Sequence, residues 1–414
     1  MASPIADFEA QLEKLTARGT KDVPAVILSA IDSTGKEFYS KTSGYNGLSP
    51  DAPPVEKDAT LWIASCTKLL ASISALQLVE RGLWDINDPV ETLIPELKDP
   101  DIVSLTDVND PSSLQTQKAQ GKITLRQLLT HTSGLVYEFT NAAPQLAAWR
   151  EKTGTPQIRG TVIDYYNVPL VFEPGKGWAY GPGIDWAGVL VERLNGGKTL
   201  GEYIKENIFG RLGEGVGKSS TFRLHSPEAK EAKIKERLLK NTLRQADGNF
   251  VEEPYGFEED TKEDSGGAGL WSNVPDYTAV LADLIAPEPK LLKKETVEKY
   301  LYSPHIEDPA ALRMLIKART NMTPQDASLA ASYDPSQMGV NHALGGMLSL
   351  KDTEVLPKGT LAWGGLPNLK WFANREKGIA AMFAAQVTPA GDQTTQELAA
   401  RYFVEIWKLV NAKK

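Results

Sequence analysis

Cysteine is almost absent from this sequence: Cys66 is the single cysteine among 414 residues, so no disulfide can form within the chain. Histidine is also scarce. The four histidines stand far apart, at positions 131, 225, 305 and 342, without the spacing of metal ligands. We therefore expect no metal site and no requirement for an oxidising compartment.

Long apolar runs and basic clusters are missing as well. No stretch approaches the roughly 18 apolar residues of a membrane span, and the first residues lack the basic and apolar regions of a signal peptide. Lys and Arg number 45 against 53 Asp and Glu, a formal net charge of -8, and no Lys/Arg run marks a nucleic-acid surface. These absences predict a cytoplasmic protein with no membrane or nucleic-acid partner.

Cofactor motifs are absent too. The sequence contains no Walker A stretch and no G-x-G-x-x-G, so a nucleotide cofactor has no support. It also lacks G-x-S-x-G, which removes the usual α/β-hydrolase signature. We expect no organic cofactor.

What is present is the composition of a globular protein with a large core: 41% of residues are hydrophobic and 24% are charged. Apolar residues at helical spacing predict a helix before the first strand, a mostly helical stretch from 65 to about 330, and a last helix over 392–412. Apolar runs bounded by turn residues predict strands near both ends of the chain. The predicted strands are 25–32, 36–44, 345–350, 359–364, 369–374 and 378–386.

Neither terminal group of strands is large enough for a robust sheet, so we expect both groups to join into one antiparallel sheet. The expected fold class is α/β: this sheet, flanked by the N- and C-terminal helices, plus a mostly helical lobe. Residues 1–60 and 331–414 would form the discontinuous sheet domain and residues 61–330 the lobe. Within the lobe, the charged stretch 226–264 predicts a surface helix and loops.

The stretch "LWIASCTKLLASISALQLVERG" (61–82) places Ser65 and Lys68 three residues apart at the start of a helical pattern. Residues at i and i+3 share one face of a helix, and a lysine in a dry pocket can accept the proton of a serine hydroxyl. The pair therefore fits an activated nucleophile and its base. The alternative is a capping serine beside a solvated lysine, and the same spacing recurs at Ser33 and Lys36 in a predicted turn.

Three later stretches add to this pair. "FEPGKGWAYGPGIDWAGVLVERL" (172–194) places Tyr180 in a Gly/Pro loop just before a helix. "DSGGAGLWSNVPDYTAVLADLI" (264–285) is a Gly-rich turn that runs into a helix. "LAWGGLPN" (361–368) carries a strand into a double glycine, where a ligand or a second backbone can approach closely.

Taken in this order, the stretches resemble the serine β-lactamase and penicillin-binding-protein superfamily, especially its class C branch, over about residues 22–386. Ser65-x-x-Lys68 matches the nucleophile motif, and Tyr180 matches the tyrosine of the Y-x-N motif. The position of the K-T-G strand motif is occupied by Trp363, Gly364 and Gly365.

The resemblance implies roles for these residues. Ser65 would attack a carbonyl and form an acyl-serine, with Lys68 and Tyr180 as the base system; which of the two is the base stays open. The backbone N–H groups of Ser65 and Leu366 would form the oxyanion hole, and such donors are each worth about 3–4 kcal/mol of barrier. The substrate-binding residues would be Trp363, Gly364 and Gly365.

Departures from the family pattern point away from β-lactams. Pro182 stands where the pattern has the asparagine that binds an antibiotic's side-chain amide, and Trp363-Gly364 replaces the Lys-Thr pair that helps bind its carboxylate. W-G-G at this position resembles the family VIII carboxylesterases. The pattern Y-G-x-x-x-D-W-A-G, from Tyr180 to Gly188, resembles acyltransferases that install the short ester side chain of lovastatin-type polyketides.

We therefore expect a serine ester hydrolase or acyltransferase that acts on carboxylic esters or thioesters, with polyketide-like secondary metabolites as candidate substrates. Water would resolve the acyl-enzyme in an esterase, and an acceptor alcohol in an acyltransferase; an acyl-carrier donor is a further candidate partner. The alternatives are a β-lactamase or D-alanyl-D-alanine peptidase, and a catalytically silent relative that only binds.

Residues next to these motifs are expected to have structural roles. Asp185 would cap the helix that begins near Trp186. His131 would make a structural hydrogen bond. Core packing, rather than the wall of a substrate gorge, is expected for Trp178, Trp186 and Trp271.

Overall fold

The computed structural model describes residues 5–138, 143–157, 160–259, 261–320 and 339–412. The outer limits of the two predicted domains, and their boundary at 330 and 331, lie outside the described residues. The division of the chain into a sheet domain and a helical lobe therefore stays a prediction.

A seven-stranded antiparallel sheet carries the fold. The strands of the chain are β1 (Ala25–Asp32), β2 (Glu37–Gly44), β3 (Leu61–Trp62), β4 (Asp101–Leu105), β5 (Leu114–Lys118), β6 (Thr242–Arg244), β7 (Phe250–Glu252), β8 (Trp271–Ser272), β9 (Val340–Ala343), β10 (Gly346–Ser349), β11 (Thr360–Gly365), β12 (Leu369–Asn374), β13 (Ile379–Ala384) and β14 (Val387–Thr388). The order in the large sheet is β2-β1-β13-β12-β11-β10-β9. The N-terminal hairpin thus joins the C-terminal strands, with Ile27 opposite Ala384, and the predicted antiparallel sheet is confirmed.

Helices make up most of the remaining regular structure. They are α1 (Ala6–Leu15), α2 (Thr67–Glu80), α3 (Leu125–Leu129), α4 (Pro144–Thr153), α5 (Val162–Tyr166), α6 (Gly183–Leu194), α7 (Leu200–Ile204), α8 (Gly210–Leu212), α9 (Pro227–Glu231), α10 (Val274–Ile285), α11 (Lys294–Thr296), α12 (Pro309–Thr320) and α13 (Gln393–Asn411). None of the described helices is long and apolar enough to cross a membrane.

Both faces of the central strands β1, β12 and β13 are buried, which explains their nearly continuous apolar runs. In β1, Val26 and Leu28 pack in a cluster with residues of α1 and α13. The alternate residues Ile27 and Ile31 pack in the main core with residues of α2 and α10. Because successive side chains point to opposite faces of a strand, one strand contributes to both cores.

Helix α2 runs through the interior of the molecule. Its residues from Thr67 to Leu78 are all buried, so it needs an apolar surface on every side. It contacts α6 and α7. The short 3₁₀ turn at 64–66 that precedes it contacts β11 of the large sheet, so the start of α2 lies where the sheet meets the helices.

The structure adds several elements that the sequence did not predict. Strands β4 and β5 form a hairpin, β6 and β7 form another together with β14, and β9 extends the large sheet. The charged stretch 226–264, predicted as a surface helix and loops, contains the short helix α9 and the β6–β7 hairpin. Helix α10 packs against β1 and β13.

Candidate active site

Ser65 lies in the 3₁₀ turn that leads into α2. Ala64, just before it, has a left-handed φ of 44°, a conformation that costs an L-residue on the order of 1–3 kcal/mol. The Ser65 hydroxyl does not cap the helix, because α2 has no side-chain cap hydrogen bond. Its Oγ lies 2.5 Å from the Tyr180 Oη and 3.2 Å from the Lys68 Nζ. The strained turn therefore presents Ser65 to the two residues that the sequence pattern paired with it.

Lys68 is buried, with 2% of its surface exposed. Besides Ser65, its Nζ donates to the backbone carbonyl of Gly267 at 2.7 Å and to the Oη of Tyr137 at 3.2 Å. The alternative of a solvated lysine beside a capping serine is wrong. Ser65 and Tyr180 are only half-buried, so a substrate can reach the hydroxyl pair while the amine stays shielded from water.

The loop before α6 holds Tyr180 by its backbone. The amides on either side of it bond His131: Ala179 N–H donates to the His131 carbonyl at 3.1 Å, and Gly181 N–H to its Nδ1 at 3.4 Å. The Tyr180 carbonyl accepts from the N–H of Tyr137 at 3.2 Å. The expected structural hydrogen bond of His131 is confirmed, and it fixes the position of a residue in the site.

The end of β11 lies against the turn that presents Ser65. A Cβ added to Gly365 would lie 2.4 Å from the carbonyl oxygen of Ile63, and one added to Gly364 would lie 2.3 Å from that of Leu369. Both glycines are therefore needed for close backbone approach. Trp363, on the same strand, places its ring 5.7 Å from the ring of Tyr180.

Leu366 follows directly and packs in part against a cluster that contains Trp62 and Ala64. The backbone that carries its N–H thus borders the nucleophile turn. The oxyanion-hole roles of Ser65 and Leu366 stay predictions.

The structure brings four further residues into the site. The hydroxyls of Tyr137 and Ser265 and the backbone N–H of Gly267 all donate to the carboxylate of Asp185, at 2.7, 2.5 and 3.0 Å. The prediction that Asp185 caps α6 is wrong: the N-cap residue is Pro182. The Asp185 carboxylate accepts from Ser265 and Gly267 of the Gly-rich loop, and not from the backbone N–H groups at the start of α6.

A model of the β-lactamase family matches residues 12–403 of the chain. The chain belongs to the β-lactamase family. The acyltransferase calJ of Penicillium decumbens is 36% identical, over 97% of this chain and 98% of its own length. The lovastatin esterase of Penicillium rubens is 31% identical, over 95% of this chain and 97% of its own.

The solved structure of a mutant simvastatin synthase from Aspergillus terreus is 30% identical to this chain, with a TM-score of 0.84, covering 100% of this chain and 98% of that one. The predicted β-lactamase and penicillin-binding-protein fold is confirmed. The chain is an enzyme of the acyltransferase and esterase branch of this β-lactamase family, as the departures from the β-lactam pattern predicted.

The β-lactamase-family motifs depart from the usual pattern in ways that change the charge of the site. Pro182 has no side-chain amide and ends the loop where α6 begins. Trp363 contacts two buried histidines, with its ring 6.1 Å from His131 and 5.5 Å from His342. Burial lowers the pKa of His131 well below its usual value and that of His342 to about 4. Both imidazoles are therefore neutral near pH 7 and offer no cation to an anionic ligand.

Other groups near the nucleophile are kept neutral or inert by burial. Burial raises the pKa of the Cys66 thiol, so this cysteine is a packed apolar residue and not a rival nucleophile. Burial, reinforced by the neighbouring Asp185 carboxylate, raises the pKa of Tyr137 well above its usual value. The three tryptophans expected in the core are buried there: Trp178, Trp186 and Trp271.

No group of three or more His, Cys, Asp or Glu side chains able to hold a metal ion occurs among the residues that the structure describes. The groups that meet in the site are a hydroxyl, an amine and a phenol.

Proposed function

We propose that this enzyme transfers acyl groups from neutral esters or thioesters through an acyl-serine on Ser65. The observation that carries the proposal is the contact of its Oγ with both Tyr180 and Lys68, at 2.5 and 3.2 Å. A serine hydroxyl becomes nucleophilic only when a neighbouring base takes its proton, and both candidate bases are within hydrogen-bond reach.

In the proposed reaction, the Ser65 Oγ attacks the ester carbonyl while Lys68 and Tyr180 accept its proton and return it to the leaving alcohol. Backbone N–H groups of Ser65 and Leu366 would stabilise the oxyanion of the tetrahedral intermediate. Water or an acceptor alcohol then attacks the acyl-serine by the reverse sequence of proton transfers.

The substrate preference follows from the charge of the site. A β-lactam brings a carboxylate, which the family pattern meets with lysine and threonine side chains. Here the same strand offers the indole of Trp363 and the glycines Gly364 and Gly365, beside neutral imidazoles. Lys370 lies opposite Gly364 in the β11–β12 pair, on the face of the sheet opposite to Trp363, and its charge acts on the buried Cys66 rather than beside the indole. A neutral ester therefore fits this surface better than an anion does.

We further propose that a small-molecule ester or thioester is the acyl donor and an alcohol the acceptor, with an acyl carrier as a candidate donor. Relatives named as an acyltransferase and as an esterase match the chain over nearly its whole length, so both acceptors belong in the test. A cytoplasmic location stays a prediction, which cell fractionation would check.

The test combines active-site labelling with turnover. We expect a fluorophosphonate probe to label Ser65, and p-nitrophenyl butyrate to be turned over faster when an acceptor alcohol is added if transfer is the main reaction. Ser65→Ala should abolish labelling and turnover while the melting temperature changes little, since the half-buried hydroxyl caps no helix and, among the described residues, bonds only Tyr180 and Lys68.

The matched control is Ser74→Ala. This serine lies on the same helix and is buried, but its hydroxyl donates to the Leu70 carbonyl. It should keep labelling and activity. Full turnover by a folded Ser65→Ala variant would exclude the proposal.

A further inference from the structure

We infer that Asp185 is a positioning residue that orients the Lys68 amine toward Ser65 by fixing the direction of the Tyr137 hydroxyl. The inference rests on the proposed function and assigns the role of general base, which the motif pattern left open between Lys68 and Tyr180.

Asp185 has no contact with solvent. It is fully buried, with 0% of its surface exposed, and its two oxygens accept from Tyr137, Ser265 and Gly267. An ionised carboxylate can only accept hydrogen bonds. The single hydroxyl hydrogen of Tyr137 is therefore committed to Asp185.

The Tyr137 hydroxyl lies between Asp185 and Lys68. With its hydrogen committed, its oxygen can only accept from Lys68, whose Nζ lies 3.2 Å away. Burial keeps the pKa of Tyr137 well above its usual value, so the residue remains a phenol while the enzyme works.

The Lys68 Nζ has three hydrogen-bonded neighbours. The carbonyl of Gly267, 2.7 Å from Nζ, is also an obligate acceptor. To act as a base, Lys68 must be the neutral amine, which has two N–H bonds and one lone pair. Tyr137 and Gly267 occupy the two N–H bonds, so the lone pair points at the third neighbour, the Ser65 Oγ at 3.2 Å.

The proton balance then closes. The Ser65 O–H bond breaks and an N–H bond forms on Lys68, while an electron pair of Oγ bonds to the ester carbon and the carbonyl π electrons move to its oxygen. Because the Ser65 hydrogen goes to Lys68, the Tyr180 hydroxyl donates to Oγ at 2.5 Å. Lys68 is the base. Tyr180 gives its hydroxyl proton to the leaving alcohol and takes up the proton that Lys68 received from Ser65, so both side chains are neutral again once the acyl-serine has formed.

Asp185→Asn tests whether the direction of the Tyr137 hydroxyl determines how the Lys68 amine meets Ser65. The Asn oxygen replaces the carboxylate oxygen that faces Ser265 and Gly267, and its NH₂ faces Tyr137. That NH₂ donates to the phenol oxygen, so the Tyr137 hydrogen turns to the lone pair of Lys68 and competes with Ser65. We expect kcat to fall by about 10²-fold or more, with KM for the ester little changed.

Tyr137→Phe removes the competing hydroxyl together with one acceptor of Lys68. We expect this single variant to lose only about tenfold in kcat. The decisive sample is the double variant Asp185→Asn/Tyr137→Phe, which should return to the level of Tyr137→Phe and therefore be about tenfold faster than Asp185→Asn. A purely structural role of Asp185 would make the double variant as slow as Asp185→Asn or slower.

The matched control is Asp276→Asn on α10. Asp276 is also buried and also accepts from a glycine N–H and a serine hydroxyl, those of Gly217 and Ser220. It should lose stability as Asp185→Asn does but keep its kcat. Melting temperatures are measured for all four variants.

Labelling of Ser65 distinguishes a failure of the Asp185 positioning role from a failure of the proposed function. If the wild-type enzyme is labelled at Ser65 and the double variant is no faster than Asp185→Asn, the positioning role is overturned and the proposed function stands. If the wild-type enzyme is not labelled at Ser65, both fall. Recovery of kcat in the double variant, with Ser65 labelled, supports both.

Discussion

At the scale of single residues, the site separates exposed reactants from buried supports. Ser65 and Tyr180 are half-buried, whereas Lys68 and Asp185 are buried. Each buried polar group in this set has hydrogen-bond partners, as burial requires. The arrangement keeps water away from the amine while leaving the hydroxyl open to a substrate.

Lys68→Ala and Tyr180→Phe are expected to lower kcat on p-nitrophenyl butyrate by about 10²–10⁴-fold each. The double variant should be little worse than either single variant, because residues that move one proton together are strongly non-additive. Steady-state kinetics on the three variants, with melting curves on the same samples, give the result. Independent multiplication of the two losses would contradict a shared proton path.

Ser65, Lys68 and Tyr180 could be predicted from the sequence because each lies in a short motif whose spacing or loop context is visible along the chain. Tyr137 and Asp185 could not. They meet only because the loop before α4 and the helix α6 converge on the Gly-rich loop at Gly267. The sequence signal for Asp185 was the D-W-A-G pattern after Tyr180. An aspartate at the start of a helix is usually expected to cap it, which favoured the wrong role.

At the scale of elements, the end of β11 and the turn at 64–66 determine each other's position. A Cβ on Gly365 would meet the backbone oxygen of Ile63 at 2.4 Å, which is not a flexible side chain that can move aside. The strand and the nucleophile turn are therefore held at the closest separation that a glycine permits.

Gly365→Ala should accordingly displace the nucleophile turn. A misplacement of about 1 Å at a reacting centre can cost on the order of 10²-fold in rate, so we expect kcat/KM for the ester to fall by that order. The control is Gly256→Ala, where an added Cβ would make only ordinary contact, at 3.8 Å from Trp62. Equal rates for the two variants, compared by steady-state kinetics, would contradict the assigned contact.

The long apolar strands and the terminal helices were predictable because their burial patterns extend over many residues. The hairpins β4–β5 and β6–β7 and the strand β9 were not. They are short, and β5 has one buried residue, Leu114, followed by four exposed ones. Partner strands, rather than their own sequence, hold such segments extended.

At the scale of the whole molecule, the indole of Trp363 and its neutral imidazole neighbours predict the substrate preference. Steady-state kinetics should give a higher kcat/KM for p-nitrophenyl butyrate than for a clinical cephalosporin. Leaving the cephalosporin carboxylate poorly paired beside Trp363 costs on the order of several kcal/mol, which a neutral ester avoids. A higher kcat/KM for the cephalosporin would restore the β-lactamase alternative.

Buried histidines also link stability to pH. The pKa of His342 is about 4 in the folded chain, through burial, against 6.5 for an exposed histidine. The unfolded chain therefore binds the proton first, so the contribution of this neutral histidine is complete above about pH 6.5 and is lost as the pH falls toward 4. The loss is about 1 kcal/mol per pH unit.

His342→Gln isolates this contribution from other titrating groups. Denaturant unfolding at pH 7 and pH 5 should show a smaller decrease in the free energy of unfolding for the variant than for the wild type. The same decrease in both proteins would exclude His342 as a source of acid sensitivity.

The pairing of β1 with β13 has a consequence for how the enzyme is made. Strand β1 is translated before β13, so the register that places Ile27 opposite Ala384 cannot form until residue 384 has been added. Until then β1 lacks the strand that pairs with its free backbone edge, and a lone hairpin is marginal in water. Trp363 and Gly365 are also still unsynthesised when Ser65 emerges. Until residues 360–384 have been added, neither the large sheet nor the site can assemble, and a partly folded chain of this kind is prone to aggregate.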